Sequence, residues 1–318
     1  MEDPSIAIKH VEQAVALSKL DIPILQLDLA DEESVTTAIL HHNIHIIIHT
    51  TSAIDPTAAL YLINALSKQR RVSGVEVYFI HTSGLSAFYP STGWPSGQSR
   101  DTDAVFETEK KLAQSFPIRN HAAKRDVTSF IVVPSYGIGS GEWNKLSVIL
   151  PAYVQAALAQ KAVYRFPKNT KVSAVHISDL TALYRLIINR ILCGESETIP
   201  CNKERYYFAL AHDLFLGDVL EHLGLALESR GLVADGRKRM YPSGRIAAES
   251  LNVPEEFVQA LWNSGDDMVA EIPSRVGWRP VWSKERIFEK FDDEIDAVLE
   301  LGKAKSRLID SLFRVAQD

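Results

Sequence analysis

Four apolar runs, each ending on polar residues, constrain this 318-residue chain more than any other feature. Ile22-Pro23-Ile24-Leu25-Gln26-Leu27 ends on Asp28, and Ile44-His45-Ile46-Ile47-Ile48 ends on His49-Thr50-Thr51-Ser52. Val75-Glu76-Val77-Tyr78-Phe79-Ile80 ends on His81-Thr82-Ser83-Gly84, and Phe130-Ile131-Val132-Val133-Pro134 ends on Ser135-Tyr136. β-Branched runs of this length read as buried strands. Between them lie amphipathic stretches: Val11 to Leu20, Glu32 to Leu40, and a helix opened by Pro56 that runs to about Arg70. With Ser5–Ile8 as a first strand, the alternation predicts a parallel sheet wound with helices on both faces. Ligands of such sheets sit beyond the carboxyl ends of the strands. Asp28, Thr50 to Ser52, Thr82-Ser83 and Ser135-Tyr136 are therefore expected along one edge.

Residues 85–103, rich in Ser, Gly, Pro and Asp, read as a loop, and Val105 to Phe116 as a helix. Gly137, Gly139 and Gly141 read as a flexible turn. Further on, helices are expected over 145–161, 179–192, 214–230, 241–251, 255–262 and 283–301, with strands over 172–177 and 206–210. This gives a Rossmann-like α/β domain over 1–144, with 171–212 returning to it, and a mainly helical substrate lobe over 145–318.

A net charge of −6 disfavours electrostatic binding to nucleic acid. No run approaches the ~20 apolar residues of a membrane span, and the acidic start Met1-Glu2-Asp3-Pro4 is unlike a secretory leader. A cytoplasmic protein is expected. Cys193 and Cys201 cannot build a disulfide framework and read as ordinary buried thiols. His41, His42, His45 and His49 suggest a metal cluster, and His45 and His49 are spaced as on a helix, but this segment reads as a strand, where odd-numbered positions share one face, and neither a carboxylate nor Cys completes a set.

In order and spacing, several segments resemble the extended short-chain dehydrogenase/reductases, the NAD-dependent epimerase/dehydratase group, and within it a fungal branch. They are Leu27 to Val35, Phe79 to Gly84, Val132 to Gly137, Val175-His176-Ile177-Ser178-Asp179-Leu180 and Gly277-Trp278-Arg279-Pro280. The resemblance implies an NAD(P) cofactor. It implies cofactor contacts from Lys9 (to a 2′-phosphate), Asp28 (to adenine), Thr50, Thr51, Pro134 and Lys110. It also implies that Ser83 steadies a substrate oxygen and that Lys110 assists catalysis.

Three departures set the expected function. The chain opens at what resembles the family's second strand, so the glycine-rich turn that holds the diphosphate is missing, and the doubly wound sheet is expected to be truncated. A gene model lacking an early exon would give the same start. The strand at 5–8 is then expected either to close against 44–48 or to leave a gap. Next, the family's catalytic Tyr lies four residues before its Lys, and here Phe106 precedes Lys110. Tyr136 is the nearest phenol that could replace it. Last, the stretch 120–128 is short for the helix that the family carries there. The chain is thus expected to be an NADP-dependent oxidoreductase or epimerase of small-molecule, including fungal secondary, metabolism that binds its cofactor weakly. The alternatives are a cofactor-independent isomerase or cyclase and a non-catalytic regulatory pseudoenzyme. The expected partner is a small-molecule substrate, with no nucleic acid and no membrane, and a homodimer is allowed.

Overall fold

A computed structural model describes residues 6–8, 15, 17, 19, 22–53, 55–112, 117–139, 145–201, 206–265, 267–302 and 312–313. Its strands are β1 (Ile6–Ile8), β2 (Ile24–Gln26), β3 (Ile46–His49), β4 (Tyr78–Thr82), β5 (Ser99–Arg100), β6 (Thr128–Pro134) and β7 (Tyr136–Ile138). They continue with β8 (Val163–Arg165), β9 (Lys171–His176), β10 (Tyr206–Ala209), β11 (His212–Phe215), β12 (Lys238–Met240) and β13 (Met268–Val269). The chain divides into two compact units. The first comprises 1–83, 104–132 and 200–206, and the second 84–103, 133–199 and 207–318.

In the first unit β3, β4 and β6 are parallel neighbours, as the apolar runs predicted. They belong to a four-stranded sheet ordered β10-β6-β4-β3. The β1 strand pairs in parallel with β2 in a separate two-stranded sheet. Among the described residues β3 pairs only with β4, so closure of β1 against it is not present. The helix Glu32–His41 starts where Asp31 caps it, accepting from the amides of Glu33 (3.1 Å) and Ser34 (3.2 Å). Its buried Val35 and Ile39 pack with Ala59, Leu62, Ile63 and Leu66 of the helix Thr57–Ser73 and with Phe79 of β4. The helix Val105–Lys111 is followed by Pro117–Ala123, a seven-residue helix ahead of β6. Most of the stretch Val11 to Leu20, and residues 113–116, lie outside the described residues.

The second unit is held by an apolar core that includes Leu150, Tyr153, Val172, Ala174, Leu220, Leu223, Trp262 and Ile295. Its three-stranded sheet, ordered β11-β9-β7, is mixed: β7 is parallel to β9, and β11 antiparallel. The expected helix over 214–230 is therefore shorter, Leu216–Ser229, because His212 to Phe215 pair with β9 instead. The expected helix over 283–301 is two, Lys284–Glu289 and Phe291–Leu301. The expected loop over 85–103 holds two short 3₁₀ turns and β5. Cys193 is exposed at the end of the helix Ile177–Leu192 and Cys201 is half-buried, so the buried-thiol expectation fails for Cys193. No helix among the described residues is long and apolar enough to cross a membrane.

Candidate functional site

The carboxyl edge of β3 and β4 carries the most distinctive polar group of the first unit. Parallel pairing sets His49 opposite His81. Their Nδ1 atoms lie 3.0 Å apart, with the rings 16° from parallel and their centroids 5.2 Å apart. That centroid distance is the nitrogen contact plus about one ring radius at each end. The imidazoles thus meet edge to edge, nearly in one plane, and share one proton along an N–H···N line. On the far side of His49, Nε2 lies 2.6 Å from Thr51 Oγ1.

Two proton arrangements satisfy these two bonds, and in both the buried Nε2 of His81 has no hydrogen-bond partner. If His49 donates from Nδ1, its Nε2 accepts from the Thr51 hydroxyl. If His81 donates from Nδ1, His49 Nε2 donates to Thr51 and leaves that hydroxyl's proton for an outside acceptor. Both rings are buried, at 2% and 1% exposure. Burial pushes His49 down to about 4 and His81 down to about 3, so the pair is neutral near pH 7. A neutral pair holds the Thr51 hydroxyl by a short bond, in either direction, without placing a charge beside it.

Other expected site residues of this unit surround the same sheet or leave it. Ser83 directly follows β4, is 4% exposed, and donates its backbone amide to Val132 O. Thr50 directly follows β3 and is exposed. Asp28 is exposed after β2, and its Oδ1 accepts the Ala30 amide at 3.1 Å, an Asx turn. Lys110 is exposed on the helix Val105–Lys111, with Phe106 one turn before it. Between them, Glu109 is buried and accepts a hydrogen bond from the Tyr206 hydroxyl. Lys9 lies outside the described residues.

The residues of this unit do not fit the diphosphate of a dinucleotide. Such a group is held by closely approaching backbone amides, which glycine permits. The unit's sequence contains one glycine, Gly74, which ends the helix Thr57–Ser73 at φ +71° and donates to Arg70 O.

In the second unit Tyr136 lies within β7, and its hydroxyl donates to Leu261 O at 2.6 Å. That proton is committed to a backbone carbonyl, which suits a structural phenol better than an acid. Pro134 ends β6, and the adjoining Ser135 hydroxyl donates to Ala209 O. The glycine turn is anchored at its described start. Gly139 has φ +101°, and its amide donates to the buried carboxylate of Glu294. The structure also explains why two distant motifs go together. Asp179, 2% exposed, accepts the amides of Val281 (3.0 Å) and Trp282 (3.1 Å), and its carbonyl accepts from the Trp278 indole.

The His49–His81 pair was missed because only strand register joins residues that far apart. Its available signal was that both runs end on histidine. Among the described residues no three His, Cys, Asp or Glu side chains form a group able to hold a metal ion.

No family model and no curated protein matches the chain. Solved structures do. A nucleoside-diphosphate-sugar epimerase from Staphylococcus aureus is 12% identical, with a TM-score of 0.55 over 91% of this chain and 90% of its own. The L-threonine dehydrogenase of Phytophthora infestans is 12% identical, with a TM-score of 0.57 over 88% of each chain. Vestitone reductase from alfalfa is 14% identical, with a TM-score of 0.54 over 94% of this chain and 90% of its own. This chain has the Rossmann-like fold of the epimerase/dehydratase and short-chain dehydrogenase/reductase enzymes.

Proposed function

We propose that the protein is an oxidoreductase- or epimerase-like enzyme of small-molecule metabolism whose hold on NADP is weakened. The observation that carries this reading is a contrast. The fold matches dehydrogenase, reductase and epimerase structures over most of the chain, yet the first unit has only Gly74, at a helix end. Each lost hydrogen bond to a charged phosphate oxygen removes roughly 1.5–3 kcal/mol. Two or three such losses move a micromolar dissociation constant to about millimolar or weaker. At the sheet edge Thr51, bonded to the neutral histidine pair, and Ser83 are hydroxyls that would orient a substrate oxygen.

A second reading, a cofactor-independent isomerase or a regulatory pseudoenzyme, is favoured by one observation. Phe106 stands where the family's phenol is expected, and the Tyr136 hydroxyl is tied to Leu261 O. The fungal setting, a cytoplasmic location and a homodimer belong to the proposal as family expectations. Calorimetric titration of the purified chain with NADPH tests it. A dissociation constant near millimolar supports weakened binding, and a low-micromolar one overturns it. No binding at any accessible concentration favours the second reading.

A further inference from the structure

Thr51, His49 and His81 stand in the order of a nucleophile, its base and the group that orients the base. His49 and Thr51 are two residues apart along an extended segment, so their side chains share one side of it. Thr51 Oγ1 is 2.6 Å from His49 Nε2, within reach for proton transfer. The other ring nitrogen, Nδ1, is 3.0 Å from His81 Nδ1, and the parallel register of β3 and β4 brings the second ring there. The three groups differ in depth. Both rings are buried, whereas Thr51 is half-buried just beyond β3, so a ligand arriving from solvent meets the hydroxyl first. The unpartnered Nε2 of His81 is a second, independent observation. A buried nitrogen without a hydrogen bond is uncommon in native proteins, and a catalytic role is among the few reasons to retain one. When His49 donates from Nδ1, that nitrogen carries the His81 proton, and His49 Nε2 is left as a base toward Thr51.

We propose that Thr51 is an acyl-accepting nucleophile for carboxylic esters, with His49 as its base and His81 as a positioning residue. This activity goes beyond the oxidoreductase-like reading and needs no nicotinamide. Thr51 Oγ1 attacks the ester carbonyl carbon, and its proton passes to His49 Nε2. The carbonyl oxygen takes the negative charge. Ser83, two residues past His81 as Thr51 is past His49, supplies a hydroxyl for it from the adjoining strand exit. The carbonyl then re-forms, the bond to the alcohol oxygen breaks, and the alcohol leaves with the proton from His49. Water repeats the sequence on the ester now on Thr51. It gives a proton to His49, the carboxylic acid is released, and the proton returns to Thr51 Oγ1.

The test uses the full chain without cofactor, so that it fails or succeeds independently of NADPH binding. The chain is incubated with a fluorophosphonate, which Thr51 would attack with loss of fluoride, and the adduct is mapped by peptide mass spectrometry. An adduct on Thr51 is expected in the folded chain and none in the urea-unfolded one. Thr51→Val should remove it, and Thr51→Ser should keep it. His49→Gln can still bond Thr51 but cannot take its proton, so labelling should slow by about a hundredfold or more. His81→Asn keeps an acceptor near the Nδ1 position and should label nearly as fast as the wild type. His81→Leu removes the acceptor and should label roughly tenfold more slowly, a smaller loss than that of the base. Thr51→Val leaves both rings in place and keeps the test open if a histidine variant does not fold. No adduct on the folded chain, an adduct only on other residues, one that survives Thr51→Val, or labelling that a folded His49→Gln leaves unchanged overturns the assignment.

Discussion

Acid should open the first unit through its two buried histidines. The free imidazole titrates near 6.5 in an unfolded chain. In the folded chain burial holds His49 to about 4 and His81 to about 3. Both folded values lie below the unfolded one, so stability is full above about pH 6.5 and is lost as pH falls toward the folded values. At pH 5 both rings are still neutral when folded, so their mutual repulsion does not enter. From pH 7 to pH 5 each histidine then costs about 2 kcal/mol, about 4 kcal/mol for the pair. Asp101 of the second unit, pushed up to about 6 chiefly by burial, works the other way. Its protonation over the same range stabilises by about 1 kcal/mol.

The first unit has no tryptophan, so its opening is best followed by amide hydrogen exchange in β3 and β4. After correction for the intrinsic rate, exchange there should quicken by roughly a thousandfold from pH 7 to pH 5. The His49→Gln/His81→Gln variant should remove most of that dependence, and His81→Gln alone about half. If wild type and the double variant show the same change with pH, the neutral buried pair is not what sets acid stability in this unit.

Other substitutions separate structural from chemical roles. Tyr136→Phe should cost about 1 kcal/mol in urea unfolding through the lost bond to Leu261 O, and should leave any turnover unchanged. Asp179→Ala leaves the Val281 and Trp282 amides without their carboxylate and should destabilise by roughly 2–4 kcal/mol, with Asp179→Asn retaining part of that. Gly139→Ala places a Cβ 2.6 Å from His176 Nε2 at a backbone φ of +101°, so a loss of about 1–3 kcal/mol is expected by thermal unfolding. Where turnover on a small ketone or alcohol is measurable, Thr51→Val should lower kcat roughly tenfold or more, whereas Thr50→Val should have little effect.

The parallel core β3-β4-β6 was legible because its strands are near-continuous apolar runs bounded by turn residues, a pattern that local chemistry alone produces. β11 was not. His212-Asp213-Leu214-Phe215 has no such run, and its strand state depends on pairing with β9 about 40 residues earlier. Tyr136 was placed correctly at the exit of β6, but the carbonyl that accepts its hydroxyl proton was not legible, because it lies 125 residues away. Asp28 and Thr51 show the same limit from opposite sides. The first makes a local turn bond, whereas the second joins a histidine pair that exists only once β3 and β4 are in register.

The Asp179 bonds also have a consequence for synthesis. The carboxylate is made 102 residues before the Val281 amide that it binds. At about 5–20 residues per second, a nascent chain holds that charge without its partner for roughly 5–20 s. Until residue 282 emerges, the segment from β9 through Leu192 cannot bury Asp179 at its native cost. The second unit therefore cannot complete these native contacts until its carboxyl-terminal segment has been made. A ribosome stalled anywhere before Trp282 would present an unfinished unit to the cell's chaperones.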